Sequence, residues 1–287
     1  MKSEKARDTA IHAADDLFRS IASRRGFIKA GGGGLLAGAG LLASPSFLAR
    51  AATPDPAAVA AILSVARTAE QLAVTFYTNG LKHLGLTGDD GGDDDNARNS
   101  DGEGGARPDA EDRRDLTAFA IEEQIHLNYF AANGGTSIAD TFSFPKGAAT
   151  FTDLKTFIAT QQLLEGAFDS AFIAAVKEFC ELGSPELAQI ACQIAMIEEG
   201  HRVLGRDMLG DHRAEPHEEW AFAPLLLNKV ADAPGILTAA GFLSPVAGNT
   251  YQYHEIDFGA PAYASIYAKI TNKTPTEKNA PDTFGVY

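Results

Sequence analysis

Cysteine is scarce in this chain of 287 residues, which contains only Cys180 and Cys192 and no Cys-x-x-Cys pair. The missing pair counts against thiol redox chemistry, a zinc ribbon and a rubredoxin-type iron site. The two cysteines lie on either side of a predicted turn at Gly183-Ser184-Pro185. A disulfide across a helical hairpin and two separately buried thiols are both compatible with this spacing.

Basic residues are also few, with 24 Lys and Arg against 38 Asp and Glu. The first 51 residues hold 8 of the basic and 4 of the acidic side chains, so the remainder carries a net charge of −18. Such an acidic surface argues against nucleic acid and anionic membranes as partners. Apolar residues make up 45% of the chain, enough for a sizeable buried core.

The N-terminal segment is typical of an export signal rather than of a folded domain. Residues 23–29, Ser-Arg-Arg-Gly-Phe-Ile-Lys, resemble a twin-arginine signal, and the apolar, Gly-rich stretch 30–48 follows. Ala49-Arg50-Ala51 is a candidate cleavage site. An uncleaved membrane anchor is the alternative, although Gly31 to Gly34 and Pro45 disfavour a stable span. We therefore expect a signal peptide at 1–51, a periplasmic or extracellular mature chain, and no membrane span after cleavage.

Residues 52–210 show the periodicity of four long helices, predicted over 57–84, 114–133, 152–182 and from Ser184-Pro185 to about 209. Thr152 or Asp153 is the expected cap of the third helix. Each helix has an apolar stripe at helical spacing that is interrupted near its centre by a carboxylate. A buried glutamate without a partner is costly, so these positions predict a shared polar centre. The four residues are Glu70, Glu123, Glu165 and Glu198.

The connections between the helices differ in character. Residues 88–112 are rich in Gly and Asp and predict a flexible acidic loop, for which weak Ca²⁺ binding is the less favoured alternative. Residues 136–150 are helix-poor and suit a crossover along the outside of a bundle. Residues 211–287 predict an irregular extension that packs on the bundle as a lid or side cover, with short helices near 235–242 and 261–271.

Two of the helices carry the same motif, Glu-x-x-His, at Glu123-x-x-His126 and Glu198-x-x-His201. Residues three apart share one face of a helix, so each pair can direct a carboxylate and an imidazole at one point. The apolar stripe selects Glu123 and Glu198 as the inward residues, whereas the adjacent Glu122 lies beside the stripe. His212, His217 and His254 are scattered in the extension and are not expected to be ligands.

Four carboxylates placed together would repel one another unless cations compensated them. Two divalent metal ions balance the four charges, and two imidazoles complete their coordination while leaving positions open for an oxidant or water. Oxygen and imidazole ligands serve iron and manganese equally well. The predicted metal ligands are Glu70, Glu123, His126, Glu165, Glu198 and His201.

With these residues in this order, the stretch from about 57 to 209 resembles the ferritin-like superfamily, whose di-iron or di-manganese sites use Glu from two helices and Glu-x-x-His from two others. It looks most like exported ferritin-like proteins related to the desiccation-associated group. The resemblance implies an all-α, ferritin-like four-helix bundle with a long crossover. It leaves open whether Glu123 and Glu198 or Glu70 and Glu165 bridge the metals.

Oxidoreductase chemistry on O₂, peroxide or Fe²⁺ is the function that the resemblance favours, with metal ions and small oxidants as partners. A non-catalytic metal-binding or structural stress protein is the alternative, as is a bundle that has kept its packing and lost its metals. Tyr77 and Gln161 lie one or two turns from the carboxylates, where ordinary polar breaks in the stripe are the favoured interpretation and support of the ligands is the alternative. The pattern leaves homo-oligomerisation open.

Overall fold

The computed structural model describes residues 55–84, 109–209 and 225–272. The twin-arginine motif, its cleavage site, most of the acidic loop, and both His212 and His217 lie outside the described residues. The expectations attached to them stay predictions.

Four long helices form the body of the molecule and confirm the predicted all-α, ferritin-like bundle. Helix α1 packs chiefly against α2, and α3 packs chiefly against α4, so the bundle consists of two helical pairs. A turn of three residues joins α3 to α4, whereas a long crossover leads from α2 to α3. The helices are α1 (Pro56–His83), α2 (Ala110–Ala132), α3 (Leu154–Glu181) and α4 (Pro185–Met208).

Three of these helices begin after an aspartate whose side chain accepts hydrogen bonds from backbone N–H groups of the first turn: Asp55, Asp109 and Asp153. Of the two candidates for the third helix, the structure therefore selects Asp153. Ser184 precedes α4 as predicted, but its side chain makes no capping hydrogen bond, and a proline occupies the first helical turn.

Helix α2 begins earlier than the predicted residue 114. Asp109 accepts from the backbone N–H of Asp112, whose side chain accepts in turn from the N–H of Asp109 at 2.9 Å. This reciprocal capping starts the helix at Ala110, so residues 110–112 are helical and the predicted loop boundary at 112 is wrong. In the sequence this capping pair is visible as two aspartates three residues apart, but the pair lies within a run of acidic residues that is typical of a loop.

The apolar stripes face one another and form the core, although His126 of α2 and Leu187 near the start of α4 remain partly exposed. Aromatic rings fill one part of this core, where Phe76 and Phe157 stack with centroids 4.3 Å apart and Tyr77 meets Phe76 edge to face.

Helix α1 is long and apolar enough to cross a membrane by hydropathy alone. More than half of its most apolar window is buried inside the bundle, and Glu70 is buried at its centre. Core helices of bundles pass the same hydropathy test, so the burial accounts for this composition.

The crossover and the C-terminal extension form one covering layer. Residues 141–142 of the crossover (β1, Thr141–Phe142) pair antiparallel with β2 (Tyr251–Gln252), a contact that helical periodicity could not predict. The Asn249 side chain strengthens the junction, because its amide donates to the carbonyl of Phe144 at 2.9 Å and accepts from its N–H at 3.0 Å.

Two short helices of the extension, α5 (Ala233–Ala239) and α6 (Pro261–Thr271), pack on α3 and α2 respectively. Gln124 of α2 anchors this part, because its side-chain oxygen accepts from the Tyr253 hydroxyl at 3.0 Å and from the backbone N–H of Ile256 at 3.1 Å. The described part of the extension is thus a side cover, and its anchor adjoins Glu123 in the sequence.

Neither interpretation of the two cysteines agrees with the structure. Cys180 and Cys192 are both exposed and unpaired, so they form no disulfide across the hairpin and are not buried thiols. The sequence spacing placed them correctly on two consecutive helices but could not define which way each side chain points.

We expect Gly80→Ala to lower the free energy of unfolding by about 1–3 kcal/mol, because a Cβ at this position would overlap the Phe157 ring. The ring cannot move aside without losing its stacking on Phe76. Urea denaturation would measure the loss. Gly235→Ala is the matched control, since its Cβ would meet nothing within 4 Å, and a loss of similar size there would contradict the packing explanation.

Candidate metal centre

The four stripe carboxylates and both motif histidines converge in the middle of the bundle. All four glutamates have no exposed surface, His201 is 2% exposed, and the side chain of His126 is 13% exposed. The structure therefore brings together every residue that the sequence predicted as a ligand.

Their ligand atoms form two overlapping groups, each with its atoms within 4.8 Å of one another. We call the first the His201 position and the second the His126 position. Glu123 and Glu198, the glutamates of the two motifs, belong to both groups, whereas each of the other two glutamates belongs to one. The His201 position consists of Glu123, Glu165, Glu198 and His201, and the His126 position consists of Glu70, Glu123, His126 and Glu198.

Most polar atoms that face this centre lack a hydrogen-bond partner among the described residues. Buried polar atoms normally have one, so a cluster of unpartnered oxygens and nitrogens is an arrangement that fits cation binding. Both carboxylate oxygens of three glutamates, one oxygen of the fourth and the Nδ1 atom of each histidine are in this state: Glu70, Glu123, Glu198, Glu165, His126 and His201. The donor set fits divalent metal ions, and these clusters can hold them.

His201 is hydrogen-bonded at one ring nitrogen, and its other ring nitrogen faces the carboxylates. Its Nδ1 lies 3.1 Å from Glu123 Oε1 and 3.3 Å from Glu198 Oε2, while its Nε2 lies 2.9 Å from Glu122 Oε2 on the opposite side. A carboxylate accepts hydrogen bonds, so Nε2 carries a proton, and Nδ1 is the nitrogen that faces the cluster and would bind a metal. The Phe119 ring packs against the imidazole with centroids 4.3 Å apart.

Glu122 also belongs to this centre, although the apolar stripe does not include it. Glu122 lies beside the stripe of α2 as predicted, but its side chain reaches across to the histidine of α4. A single-helix pattern cannot show such a contact, since the partner lies on another helix. The available signal was a second carboxylate directly before a Glu-x-x-His motif.

His126 is held less closely. Its Nδ1 lies 3.7–3.8 Å from the nearest oxygens of Glu70, Glu123 and Glu198, and it makes no hydrogen bond to another described residue. The two histidines therefore have unequal surroundings although their motifs are identical in spacing.

Tyr77 and Gln161 support the centre from one side. The Tyr77 hydroxyl donates to Glu165, and Gln161 donates from Nε2 to that hydroxyl at 3.1 Å and to the backbone carbonyl of His201 at 2.9 Å. A Cβ at Gly205 would overlap the Gln161 amide, so a larger residue there would push this amide away from its hydrogen-bond partners. Of the two interpretations of these polar residues, the contacts favour a supporting role.

Glu199, which follows Glu198, faces away from the centre. Its carboxylate accepts from Arg202 at 2.7 Å, and the same guanidinium donates to Asp169 at 3.1 Å. The stripe thus distinguished the two adjacent glutamates of α4 correctly.

Burial and mutual repulsion dominate the electrostatics of the metal-free cluster. Burial, followed by the charges of the other carboxylates, raises the pKa of Glu70 and of Glu198 well above the ordinary value. Burial acts in the same direction on Glu123, but its close contacts with Glu70, His126 and His201 outweigh this effect and lower its pKa. Burial would lower the pKa of His201, yet the surrounding carboxylates, Glu122 first, raise it. Without cations, the cluster retains protons.

Comparison with known proteins agrees with this architecture. No curated protein and no solved structure matches the chain at a significant level. A family model described as the ferritin-like domain matches residues 58–211, which include all four bundle helices from near the start of α1 and all six converging residues. Because this match covers more than half of the sequence, the chain belongs to the ferritin-like family.

Proposed function

We propose that the centre binds two iron or manganese ions and that the protein is an oxidoreductase acting on O₂, peroxide or Fe²⁺. Its proposed ligands are Glu70, Glu123, His126, Glu165, Glu198 and His201. Membership of both groups makes Glu123 and Glu198, rather than Glu70 and Glu165, the proposed bridging carboxylates.

The convergence of unpartnered buried atoms carries the proposal. Four ionised carboxylates without exposed surface cannot remain together uncompensated, and no Lys or Arg among the described residues forms an ion pair with them. Two divalent ions supply four positive charges and act as partners for the carboxylate oxygens that have no hydrogen bond.

When bound, such a pair of metals supplies electron transfer and charge stabilisation for a reduced oxygen species. The residues of the chain prepare the site for this chemistry. Glu122 holds the proton at Nε2 of His201, the Tyr77 hydroxyl donates a hydrogen bond to Glu165, and the packed Phe119 ring excludes water from the imidazole face. These contacts fix the ligand atoms before any metal binds.

The test is the metal content of purified protein, followed by Fe²⁺ oxidation and peroxide consumption. We expect two metals per chain and turnover in at least one assay, with both metals lost in Glu123→Ala because this residue belongs to both groups. Glu186→Ala, at an exposed position in the first turn of α4, is the control and should keep both. Protein that takes up no metal would overturn the proposal.

A non-catalytic role is the second candidate, because five of the six proposed ligands are at most 2% exposed. In this case the main effect of the metals would be to hold the four helices together and stabilise the fold. Protein that holds two metals per chain but fails both turnover assays would favour this role over the enzyme.

We also propose export by the twin-arginine route, which would deliver a folded, metal-loaded chain. The support is the arginine pair at Arg24 and Arg25 with the apolar stretch after it. We expect residues 1–51 to export a fused reporter, and the double change of both arginines to lysine to abolish this. Export that persists in the double variant would contradict the proposed route.

A further inference from the structure

The two metal positions differ in how the protein holds their histidines. His201 is fixed by Glu122 at one nitrogen and is almost fully buried, whereas His126 has no such acceptor among the described residues and is 13% exposed. A carboxylate on the distal nitrogen of a ligating imidazole orients the ring and strengthens it as a donor.

The sequence explains the difference. Glu122 directly precedes the motif glutamate of α2 and reaches the histidine of α4. The corresponding residue on α4, directly before Glu198, is Ile197, which has no acceptor atom and is 40% exposed. The repeated motif thus provides an acceptor for one histidine and an apolar side chain at the matching place for the other.

We propose that Glu122 gives the His201 position the higher metal affinity, and that the His126 position binds metal more weakly and exchanges it with solvent. This inference rests on the proposed metal centre. Glu122 is a positioning residue, because it acts through His201. The weaker, partly exposed His126 position is the one through which metal is exchanged.

Stepwise Co²⁺ binding to metal-free protein, followed by calorimetry and visible absorption, tests this. We expect two steps whose dissociation constants differ by about 10- to 100-fold. His126→Ala should remove the weaker step. Glu122→Gln, which keeps an acceptor but loses the charge, should weaken the first step, and Glu122→Ala should weaken it further, by up to about 100-fold.

The reverse change is a stronger test. Ile197→Glu should provide the missing carboxylate for His126 and tighten the second step by about 10-fold, bringing the two positions closer together. Val203→Glu adds the same charge at another exposed position of α4 and should leave both steps unchanged. Because Ile197 is exposed, its replacement should not disturb folding, which a urea titration of the metal-free variant would verify.

Two equal steps in the unsubstituted protein, or a first step that Glu122→Ala leaves unchanged, would overturn the inference while leaving the metal centre intact. Loss of the tighter step in His126→Ala would also overturn it, because the assignment of the positions would be reversed. A protein that binds no Co²⁺ would overturn the proposed function itself.

Discussion

Removing the metals should lower the melting temperature by more than about 10 °C. A ligand that binds only the folded state stabilises it by about 4 kcal/mol when its concentration is 1,000 times the dissociation constant, and here two sites contribute. One kcal/mol corresponds to about 2–4 °C for a domain of 150–250 residues. Thermal unfolding with and without a chelator measures the difference.

The same experiment at several pH values should give slopes of opposite sign. In metal-free protein the raised pKa values of Glu70 and Glu198 mean that the folded state holds protons that the unfolded state has released above about pH 5. Their stabilising effect is complete at low pH and is lost as pH rises, by about 1.4 kcal/mol per pH unit for each proton.

His201 acts in the same direction above its ordinary pKa, since its pKa is also raised in the folded protein. Glu123 is the exception, but its lowered pKa affects stability only below the pKa of an ordinary glutamate. Metal-free protein should therefore melt at lower temperature at pH 8 than at pH 5.5.

Metal-loaded protein should show the reverse, because protons compete with metals for the ligands. The double variant Glu70→Gln, Glu198→Gln is the control and should have a flatter pH dependence without metal. Parallel slopes for the two forms would show that the carboxylate cluster does not govern stability.

The sequence was sufficient to predict the bundle and the set of converging residues, because both follow from periodicity. An apolar stripe defines the inward face of a helix, and a carboxylate such as Glu70 in that stripe is buried whichever helix it meets. The distinction between Glu198 and Glu199 came from the same reasoning, since adjacent residues are about 100° apart around a helix.

What the sequence did not predict depends on contacts between elements. The pairing of β1 with β2 joins segments more than 100 residues apart, and the Gln124 anchor requires the extension to lie over α2. Glu122 belongs to the same class, because its role is determined by the distance to His201 on another helix. These features depend on how distant segments pack against one another, whereas the start of α2 depends on a capping pair that is present in the local sequence.

Exchanging single carboxylates should separate shared ligands from ligands of one position. Glu198→Ala removes a residue of both groups and should abolish both metals, whereas Glu165→Ala should remove only the metal of the His201 position and leave one per chain. Elemental analysis after dialysis against the metal, with protein concentration measured independently, gives the stoichiometry.

Unfolding of the metal-free variants distinguishes metal loss from damage to the fold. Replacing a buried carboxylate by alanine removes charge repulsion and creates a small cavity, so Glu198→Ala without metal should be about as stable as the metal-free parent. A variant that cannot fold without metal would be replaced by Glu198→Gln, which keeps the volume.

If Glu165→Ala and Glu198→Ala lost metal to the same extent, the overlapping-group arrangement would be wrong, and the bridging role would pass from Glu123 and Glu198 to other carboxylates. If instead Glu165→Ala keeps one metal per chain and Glu198→Ala keeps none, the motif glutamates Glu123 and Glu198 are the residues that couple helices α2 and α4 through both ions.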